Sequence, residues 1–255
     1  MIVLKSFACA VAFLTRMPMP GRASLAPGAA GGSVAFFPVV GLLLGLFSGG
    51  AAVLLHDHLA LPAHLLWALF LVALHAFLTG ALHLDGLSDI VDGLGGSRGD
   101  RTRALEIMKD PRAGAFGVVA LILLLTGKVV VMNEALRTTH AFAILAVYPV
   151  VPRFAASLLV VFFPCARATG MARTFHDESR WPMAVVAAAF TIGAFWCFAP
   201  MLAVPVVCAL ATGLTVGLWI SIRLKGLTGD AYGAAIELSE LAFLAAAAWP
   251  RIRGG

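Results

Sequence analysis

Long apolar segments alternate with short polar ones along most of the chain. Several of them reach the roughly 20 residues that an α-helix needs to cross a bilayer, and they lack the short alternating pattern of membrane β-strands. We therefore predict an all-α, polytopic integral membrane protein with about six or seven transmembrane helices. The predicted spans are residues 34–55, 61–84, 113–136, 141–163, two within 183–224 that separate near residues 200–205, and a shorter segment, 238–249. The pattern leaves open whether the last segment crosses the membrane or re-enters it.

Composition excludes an ordinary soluble domain. It also gives no indication of a nucleic-acid partner, a zinc site or disulfide bonds. Of the 255 residues, 61% are hydrophobic and only 12% are charged, with a mean hydropathy of +0.96, whereas soluble domains carry about 25% charged residues. The net charge of +5 does not indicate nucleic acid, because the basic residues are scattered between apolar segments. The four cysteines form no CxxC pair, so neither a zinc site nor a disulfide framework is expected. Residues 1–255 are interpreted as a single catalytic domain embedded in the lipid bilayer.

The polar connections differ in charge. Those at residues 1–33, 85–112 and 165–182 each contain several Arg or Lys residues, whereas the intervening turns contain few. By the positive-inside rule the basic connections face the cytoplasm. Most of the Asp and Glu residues lie in or just beside the same connections. The candidate chemistry is therefore concentrated on the cytoplasmic face.

Three carboxylates follow the second predicted span. Asp85, Asp89 and Asp92 are spaced at i, i+4 and i+7, so they fall within one arc of a helix that continues through them. Carboxylates crowded beside lipid repel each other and lose hydration, and a bound divalent cation relieves both costs. Oxygen ligands favour magnesium, manganese or calcium over zinc. We predict a catalytic metal site; the alternative is a helix cap at Asp85 followed by solvated side chains. His83 is interpreted as an interfacial side chain.

Basic residues surround a predicted turn before the third span. Pro111 disfavours helix at the preceding residue, and Gly114 and Gly117 open the next helix. A helix N-terminus with cations nearby is a common phosphate site. The phosphate-binding candidates are Arg103, Lys109 and Arg112, of which Lys109 is also a catalytic candidate. The alternative is ordinary positive charge on a cytoplasmic loop.

A second acidic group follows a glycine-rich turn near the end of the chain. Asp230 and Glu237 lie seven residues apart, which places them on one face of a helix. They are candidates for metal or substrate binding. The alternative is a helix cap with surface acids.

These segments together resemble the cobalamin synthase family, whose members are adenosylcobinamide-GDP ribazoletransferases. The resemblance rests on residues 13–18, 79–94, 103–110, 114–117 and 229–234, which follow the family's order over nearly the whole chain. One mild departure is Pro111-Arg112-Ala113, where Ser-Arg-Ile or a similar sequence is expected.

The resemblance implies a magnesium-dependent enzyme of cobalamin biosynthesis in the bacterial cytoplasmic (inner) membrane, with its active site facing the cytoplasm. Such an enzyme transfers the cobinamide phosphate of adenosylcobinamide-GDP to a hydroxyl of α-ribazole, or of its 5′-phosphate, and releases GMP. Asp85, Asp89 and Asp92 then hold magnesium on the pyrophosphate, and Lys109 or Arg112 contacts phosphate oxygens. Asp89 is one candidate acceptor for the hydroxyl proton, although a carboxylate that binds metal is a poorer base. The form of the acceptor, the number of metal ions, and any homo-oligomer or contact with pathway enzymes stay open.

Two other classes are weighed against this interpretation. A transporter would use charges within the spans, such as Lys128 and Arg153, but it should concentrate them at the bilayer midplane between broken helices. Here the acidic residues collect on one face. The CDP-alcohol phosphotransferases also place spaced aspartates at a membrane edge, but their Ala-Arg element after Asp-Gly is absent from this chain.

Overall fold

The computed structural model describes the backbone of residues 2–17, 27–59 and 64–254, which is almost entirely helical. The helices in these ranges are α1 (Ile2–Leu14), α2 (Ala29–Ser33), α3 (Phe37–Leu59), α4 (His64–Thr79), α5 (Leu82–Gly96), α6 (Arg101–Ile107), α7 (Ala115–Leu136), α8 (Ala141–Val147), α9 (Val150–Phe162), α10 (Met171–Glu178), α11 (Trp181–Phe198), α12 (Ala203–Leu224) and α13 (Gly229–Gly254). A 3-10 turn, Val34–Phe36, joins α2 to α3.

The predicted class of an all-α polytopic membrane protein is confirmed. Within the described ranges, six helical segments are long and apolar enough to cross a membrane: Ala29–Leu54, Ala115–Leu136, Ala141–Phe162, Trp181–Phe198, Ala203–Leu224 and Gly229–Trp249. The predicted pair within 183–224 separates between Phe198 and Ala203. The last segment begins earlier than expected and is long enough for a crossing.

The span predicted over 61–84 contains a sharp bend, and with this bent pair of helices counted as one span the described residues hold seven candidate spans. Helix α4 ends at Thr79, and the chain then bends by 88° into α5. Gly80 and Ala81 both adopt left-handed backbone conformations, with φ of +63° and +57°, which ends a right-handed helix. We treat α5 as lying outside the six spanning segments. The bend takes the aspartates of α5 away from the axis of α4.

Helix α13 lies at the centre of the bundle, against α5, α7, α9 and α12. It crosses α5 closely because two glycines face the partner backbone. A Cβ on Gly86 would lie 2.8 Å from the carbonyl oxygen of Asp230, and a Cβ on Gly233 would lie 3.1 Å from the Cα of His83. The crossing therefore joins the aspartate-bearing part of α5 to the first turn of α13.

Charged side chains within the membrane interior are paired with one another. Glu240 accepts hydrogen bonds from Lys128 Nζ, at 2.6 Å, and from Arg153, and lies 3.1 Å from His75 Nε2. Lys128 Nζ also donates to Glu237 at 2.5 Å. Isolated charges in lipid are costly, and pairing reduces that cost. This buried ion cluster ties α4, α7 and α9 to α13.

Substitution of Gly86 with alanine is expected to weaken the crossing of α5 and α13. The added methyl group meets backbone atoms, which cannot rotate away, so the helices must separate. Overpacking of this kind costs about 1–3 kcal/mol, which unfolding in detergent measures. Gly193→Ala is the matched control, because a Cβ there meets nothing within 4 Å. Equal stabilities of the two variants would contradict the described crossing.

Candidate active site

Helix α13 begins where two connections pair through their backbones. Leu227 N donates to the carbonyl of Pro164, and Ala166 N donates to the carbonyl of Leu227, both at 2.8 Å. Gly226 permits this approach, because its φ is +137° and a Cβ there would lie 2.7 Å from Ala166 N. The α9–α10 connection is thereby fixed beside the start of α13.

Arg101, at the start of α6, reinforces the same junction. Its Nε donates to the carbonyl of Leu224 at 2.6 Å, and its Nη2 donates to the carbonyl of Ala166 at 2.9 Å. One side chain thus holds the end of α12 and the α9–α10 connection together. Arg101 therefore has a structural role at this junction.

The paired connections bring Arg167 to the first turn of α13. Arg167 Nη2 lies 3.4 Å from Asp230 Oδ2, and Thr228 Oγ1 donates to the same oxygen at 3.2 Å. Thr228 Oγ1 also accepts a hydrogen bond from Ala231 N at 3.3 Å, as a helix cap does. Asp230 therefore lies between a guanidinium group and the crossing with α5.

Asp85 and Asp89, one helical turn apart on α5, face the same region. Burial, together with the negative charges of Asp85 and Asp230, raises the pKa of Asp89 to about 7, and Arg167 opposes that shift. Like charges close together disfavour the ionised form. The three carboxylates therefore create an excess of negative charge that one arginine does not balance.

The donor set at this position fits a hard divalent cation. Asp85, Asp89 and Asp230 offer only carboxylate oxygens, which are the ligands that magnesium and calcium prefer, and their mutual repulsion is the cost that such an ion removes. In the described part of the chain, no three His, Cys, Asp or Glu side chains are already arranged around a common metal position. Metal binding, and magnesium in particular, stays a prediction.

Asp92 lies on α5, but its side chain accepts hydrogen bonds from backbone N–H groups at the start of α7. Its Oδ2 accepts a hydrogen bond from Gly114 N at 2.8 Å, and its Oδ1 accepts one from Gly117 N at 2.9 Å. A Cβ on either glycine would lie 2.3 Å from an Asp92 oxygen, so glycine is needed at both positions. Both oxygens of Asp92 are thus engaged at the N-terminus of α7, and its predicted role as a metal ligand stays a prediction.

Replacement of Asp92 with alanine is expected to destabilise the protein by about 0.5–2 kcal/mol, the usual cost of losing a helix cap. The loss leaves two backbone N–H groups at the start of α7 without their acceptors. Unfolding in detergent measures the change, and Asp177→Ala is the control because the Asp177 side chain pairs with Arg173 on the exposed side of α10. Unchanged stability combined with lost metal dependence would instead favour the ligand role.

A cavity of about 220 Å³ opens at the crossing of α5 and α13. Asp85, Arg167 and Asp230 are among the residues that line it. Three polar side chains of its lining have buried atoms without a hydrogen-bond partner among the described residues: His83 Nδ1, Tyr232 Oη, and Arg167 Nε and Nη2. Buried polar atoms are nearly always hydrogen-bonded. The cavity, with the charged side chains of Asp85, Arg167 and Asp230 in its lining, is the candidate ligand site.

The predicted phosphate-binding residues of the α6–α7 region are not among the described residues that line this cavity. Arg103 forms an exposed pair with Glu106 at 3.2 Å, and Arg112 pairs with Asp110 at 2.6 Å. The hydrogen bonds from Arg112 lower the pKa of Asp110 to about 2. Lys109 is exposed. The phosphate roles of Arg103, Lys109 and Arg112 stay predictions.

Glu237 is also placed away from the cavity lining. It is 2% exposed and accepts a hydrogen bond from Lys128 in the buried ion cluster. This pairing explains why a charged residue stands at the start of an apolar run. Asp230, its predicted companion, does line the cavity. The structure therefore separates the two acids that the heptad spacing grouped together.

Arg167, His83 and Tyr232 are candidate site residues that sequence reasoning missed. Arg167 was one of several loop arginines without a motif, and only the pairing of Leu227 with Pro164 and Ala166 singles it out. His83 was interpreted as interfacial, but it is 3% exposed. The sequence signal for His83 was its position two residues before Asp85.

Comparison with known proteins decides the family. A family model described as CobS, cobalamin-5-phosphate synthase, matches residues 6–248. The chain belongs to the cobalamin-5-phosphate synthase family. The resemblance drawn from the motifs is thereby confirmed, and with it the assignment as a transferase of cobalamin biosynthesis. Membership in the cobalamin-5-phosphate synthase family also removes the transporter alternative.

Several relatives share this family over nearly their full length. A protein of Geotalea daltonii is 40% identical over 241 residues, which cover 94% of this chain and 95% of the relative. A protein of Klebsiella pneumoniae subsp. pneumoniae is 40% identical over 250 residues, with 96% and 99% covered. A protein of Syntrophobacter fumaroxidans is 38% identical over 249 residues, with 95% and 97% covered. All three are named adenosylcobinamide-GDP ribazoletransferase. No solved structure is significantly similar to the chain.

Proposed function

We propose that the chain transfers the cobinamide phosphate of adenosylcobinamide-GDP to a hydroxyl of α-ribazole, or of α-ribazole 5′-phosphate. The hydroxyl oxygen bonds to the phosphorus nearest cobinamide, the P–O bond from that phosphorus to GMP breaks with its electron pair left on the GMP oxygen, and the hydroxyl proton passes to water. The names of the relatives support both substrates. Phosphoryl transfer depends mainly on positioning and charge neutralisation, which suits a cavity where a guanidinium group meets carboxylates.

One observation carries the proposal: Arg167 lines the cavity together with Asp85 and Asp230, and about a third of its side chain, 31%, is exposed. A guanidinium group presents a planar fork of donors that matches a phosphate. In the proposal Arg167 binds the pyrophosphate of the donor. Asp230, 3.4 Å away, holds the guanidinium in place and limits its rotation.

Asp85, Asp89 and Asp230 are the residues that would hold magnesium, with Asp230 in the position that the sequence analysis gave to Asp92. Magnesium bound there would neutralise charge on the pyrophosphate. A pyrophosphate can approach the three carboxylates only when their negative charge is compensated.

The site is proposed to face the cytoplasm from the bacterial inner membrane. The connections next to it, 97–100 and 163–170, belong to the basic set that the positive-inside rule assigns to the cytoplasm. GMP and the nucleoside acceptor are soluble there. This orientation allows both to exchange with the aqueous side.

The test is release of GMP from adenosylcobinamide-GDP and α-ribazole by the purified protein in lipid, with and without magnesium. Arg167→Ala is expected to lower kcat/KM for the donor about 10- to 100-fold, the effect of losing charged hydrogen bonds to phosphate. Arg173→Ala is the control, because Arg173 pairs with Asp177 on the exposed side of α10. A strong loss in Arg112→Ala with none in Arg167→Ala would place the phosphate at the α6–α7 turn instead.

A further inference from the structure

A second cavity, of about 630 Å³, adjoins the cavity that contains Arg167. The two cavities share three lining residues, Phe13 of α1, Leu82 of α5 and Met171 of α10. Leu82 and Met171 are 47% and 64% exposed, so a molecule that lies across both cavities can contact them. Leu82 also lies one helical turn before Asp85. The second cavity is therefore next to the proposed position of the reacting phosphate.

The second cavity offers mainly apolar surface. Its three threonines, Thr15, Thr79 and Thr174, donate their hydroxyl protons to backbone carbonyls four residues earlier, at 2.7, 2.9 and 3.4 Å, so these protons are not available to a ligand. No carboxylate is among the described residues that line it. Amide, amino and carbonyl groups buried there would lose their hydrogen bonds to water without replacement. The lining therefore favours an apolar ring over guanine or the amide-bearing corrin.

Arg16 supplies the positive charge in the described lining of the second cavity. The residue is exposed, and its guanidinium group forms no hydrogen bond or ion pair with any described residue. The rest of the residue is anchored at the bend between α4 and α5: its backbone N donates to the carbonyl of Leu78 at 2.9 Å, and a Cβ on Gly80 would lie 3.1 Å from its Cδ. A guanidinium group that no carboxylate occupies is suited to a phosphate.

We propose that the second cavity is the acceptor subsite, in which the apolar lining receives the benzimidazole base of α-ribazole and Arg16 binds a phosphate carried by the acceptor's ribose. The benzimidazole base has no polar exocyclic groups that would need partners in this lining. The inference rests on the proposed function and adds the place of the acceptor and a residue that selects its phosphorylated form. Arg167 and Arg16, which line different cavities, then bind the phosphates of the donor and of the acceptor respectively.

The test is two-substrate kinetics of GMP release with α-ribazole and with α-ribazole 5′-phosphate as acceptors. Arg16→Gln is expected to raise KM for the 5′-phosphate about 10- to 100-fold, the effect of losing charged hydrogen bonds, with little change in KM for α-ribazole or for adenosylcobinamide-GDP. Arg16→Lys keeps the charge and should recover part of the loss. Arg173→Gln is the matched control, because Arg173 pairs with Asp177 and is not in the described lining of either cavity. Its KM values should equal those of the parent protein.

Equal penalties of Arg16→Gln with the two acceptors would overturn the inference, because the effect would not depend on the acceptor's phosphate. So would a raised KM for the donor alone, which would place the pyrophosphate at Arg16. An anionic lipid headgroup offers Arg16 the same phosphate chemistry, so the kinetics are compared in phosphatidylcholine bilayers with and without phosphatidylglycerol. The inference predicts the same selective penalty in both. A penalty confined to bilayers with phosphatidylglycerol would assign Arg16 to lipid instead.

Met171→Ala tests where the base lies. Met171 lines the second cavity, and its truncation should raise KM for both acceptors by a similar factor of about 3- to 15-fold, which corresponds to one or two buried methylene groups. Met201→Ala is the control, because Met201 is exposed in the turn between α11 and α12. A penalty on the donor KM alone would overturn the placement of the base. Absence of GMP release by the folded parent protein with either acceptor would instead overturn the proposed function.

Discussion

Substitution of Asp85 with asparagine is expected to reduce the rate of GMP release about 10²- to 10³-fold, because it removes one negative charge from the proposed metal site while preserving its shape. Asp85 lines the cavity with Asp230 and adds to the charge repulsion that raises the pKa of Asp89. Its loss should weaken metal binding and leave the donor's pyrophosphate uncompensated. Initial rates over a range of magnesium concentrations measure both effects.

Asp177→Asn is the matched control for Asp85→Asn. Asp177 pairs with Arg173 at 2.7 Å on the exposed side of α10, and an exposed pair of this kind contributes little. Its rate and magnesium dependence should equal those of the parent protein. Full activity in Asp85→Asn would remove Asp85 from the metal site and leave the reaction itself in place.

Substitution of Glu240 with glutamine is expected to destabilise the protein by about 3–5 kcal/mol, because a buried charge pair loses one member. Glu240 is fully buried and bonds to Lys128, Arg153 and His75. Its neutralisation leaves two cations in the membrane interior with one carboxylate, Glu237. The free energy of unfolding from mixed micelles measures the change.

Glu106→Gln provides the comparison for Glu240→Gln. Glu106 forms an exposed pair with Arg103 on α6, and its neutralisation should leave the free energy of unfolding unchanged. Matching stabilities of the two variants would show that the buried ion cluster does not hold the bundle together. Loss of stability in Glu240→Gln alone would confirm that it does.

The buried ion cluster and the candidate active site share one helix. Asp230 and Glu237 lie two helical turns apart on α13, at the cavity and in the cluster respectively. Because Lys128 holds Glu237 and Glu240, it fixes the rotation of α13 about its axis. The same rotation sets where Asp230 and Tyr232 point. The interior charges therefore contribute to the site through the orientation of one helix.

Most of the membrane architecture could be predicted from hydropathy alone, because a spanning helix leaves a long, continuous signal. The bend after α4 could not be predicted in this way, because apolar residues continue through Gly80 and Ala81 to Leu84. The bend is produced by the left-handed conformations of Gly80 and Ala81 and is accompanied by the close approach of Gly86 to the backbone of Asp230. Such local backbone geometry has no counterpart in a hydropathy profile.

The candidate site was predictable only in part. Periodicity singled out Asp85 and Asp89 in one group and Asp230 in another, and the structure places these three carboxylates in one region. It could not distinguish Asp92, because a helix cap for a distant segment has the same spacing as a ligand. It also passed over Arg167, whose position depends on backbone pairing between residues about 60 apart in sequence. The position of Arg167 is set by contacts between connections that are distant in sequence, and periodicity carries no information about such contacts.

The most direct test of the account is a structure of the protein in lipid, bound to adenosylcobinamide-GDP with calcium in place of magnesium to slow the reaction. The account predicts density for the pyrophosphate at Arg167, with a cation between it and the carboxylates of Asp85, Asp89 and Asp230. Pyrophosphate bound at Lys109 and Arg112, with the cavity between α5 and α13 empty, would contradict it.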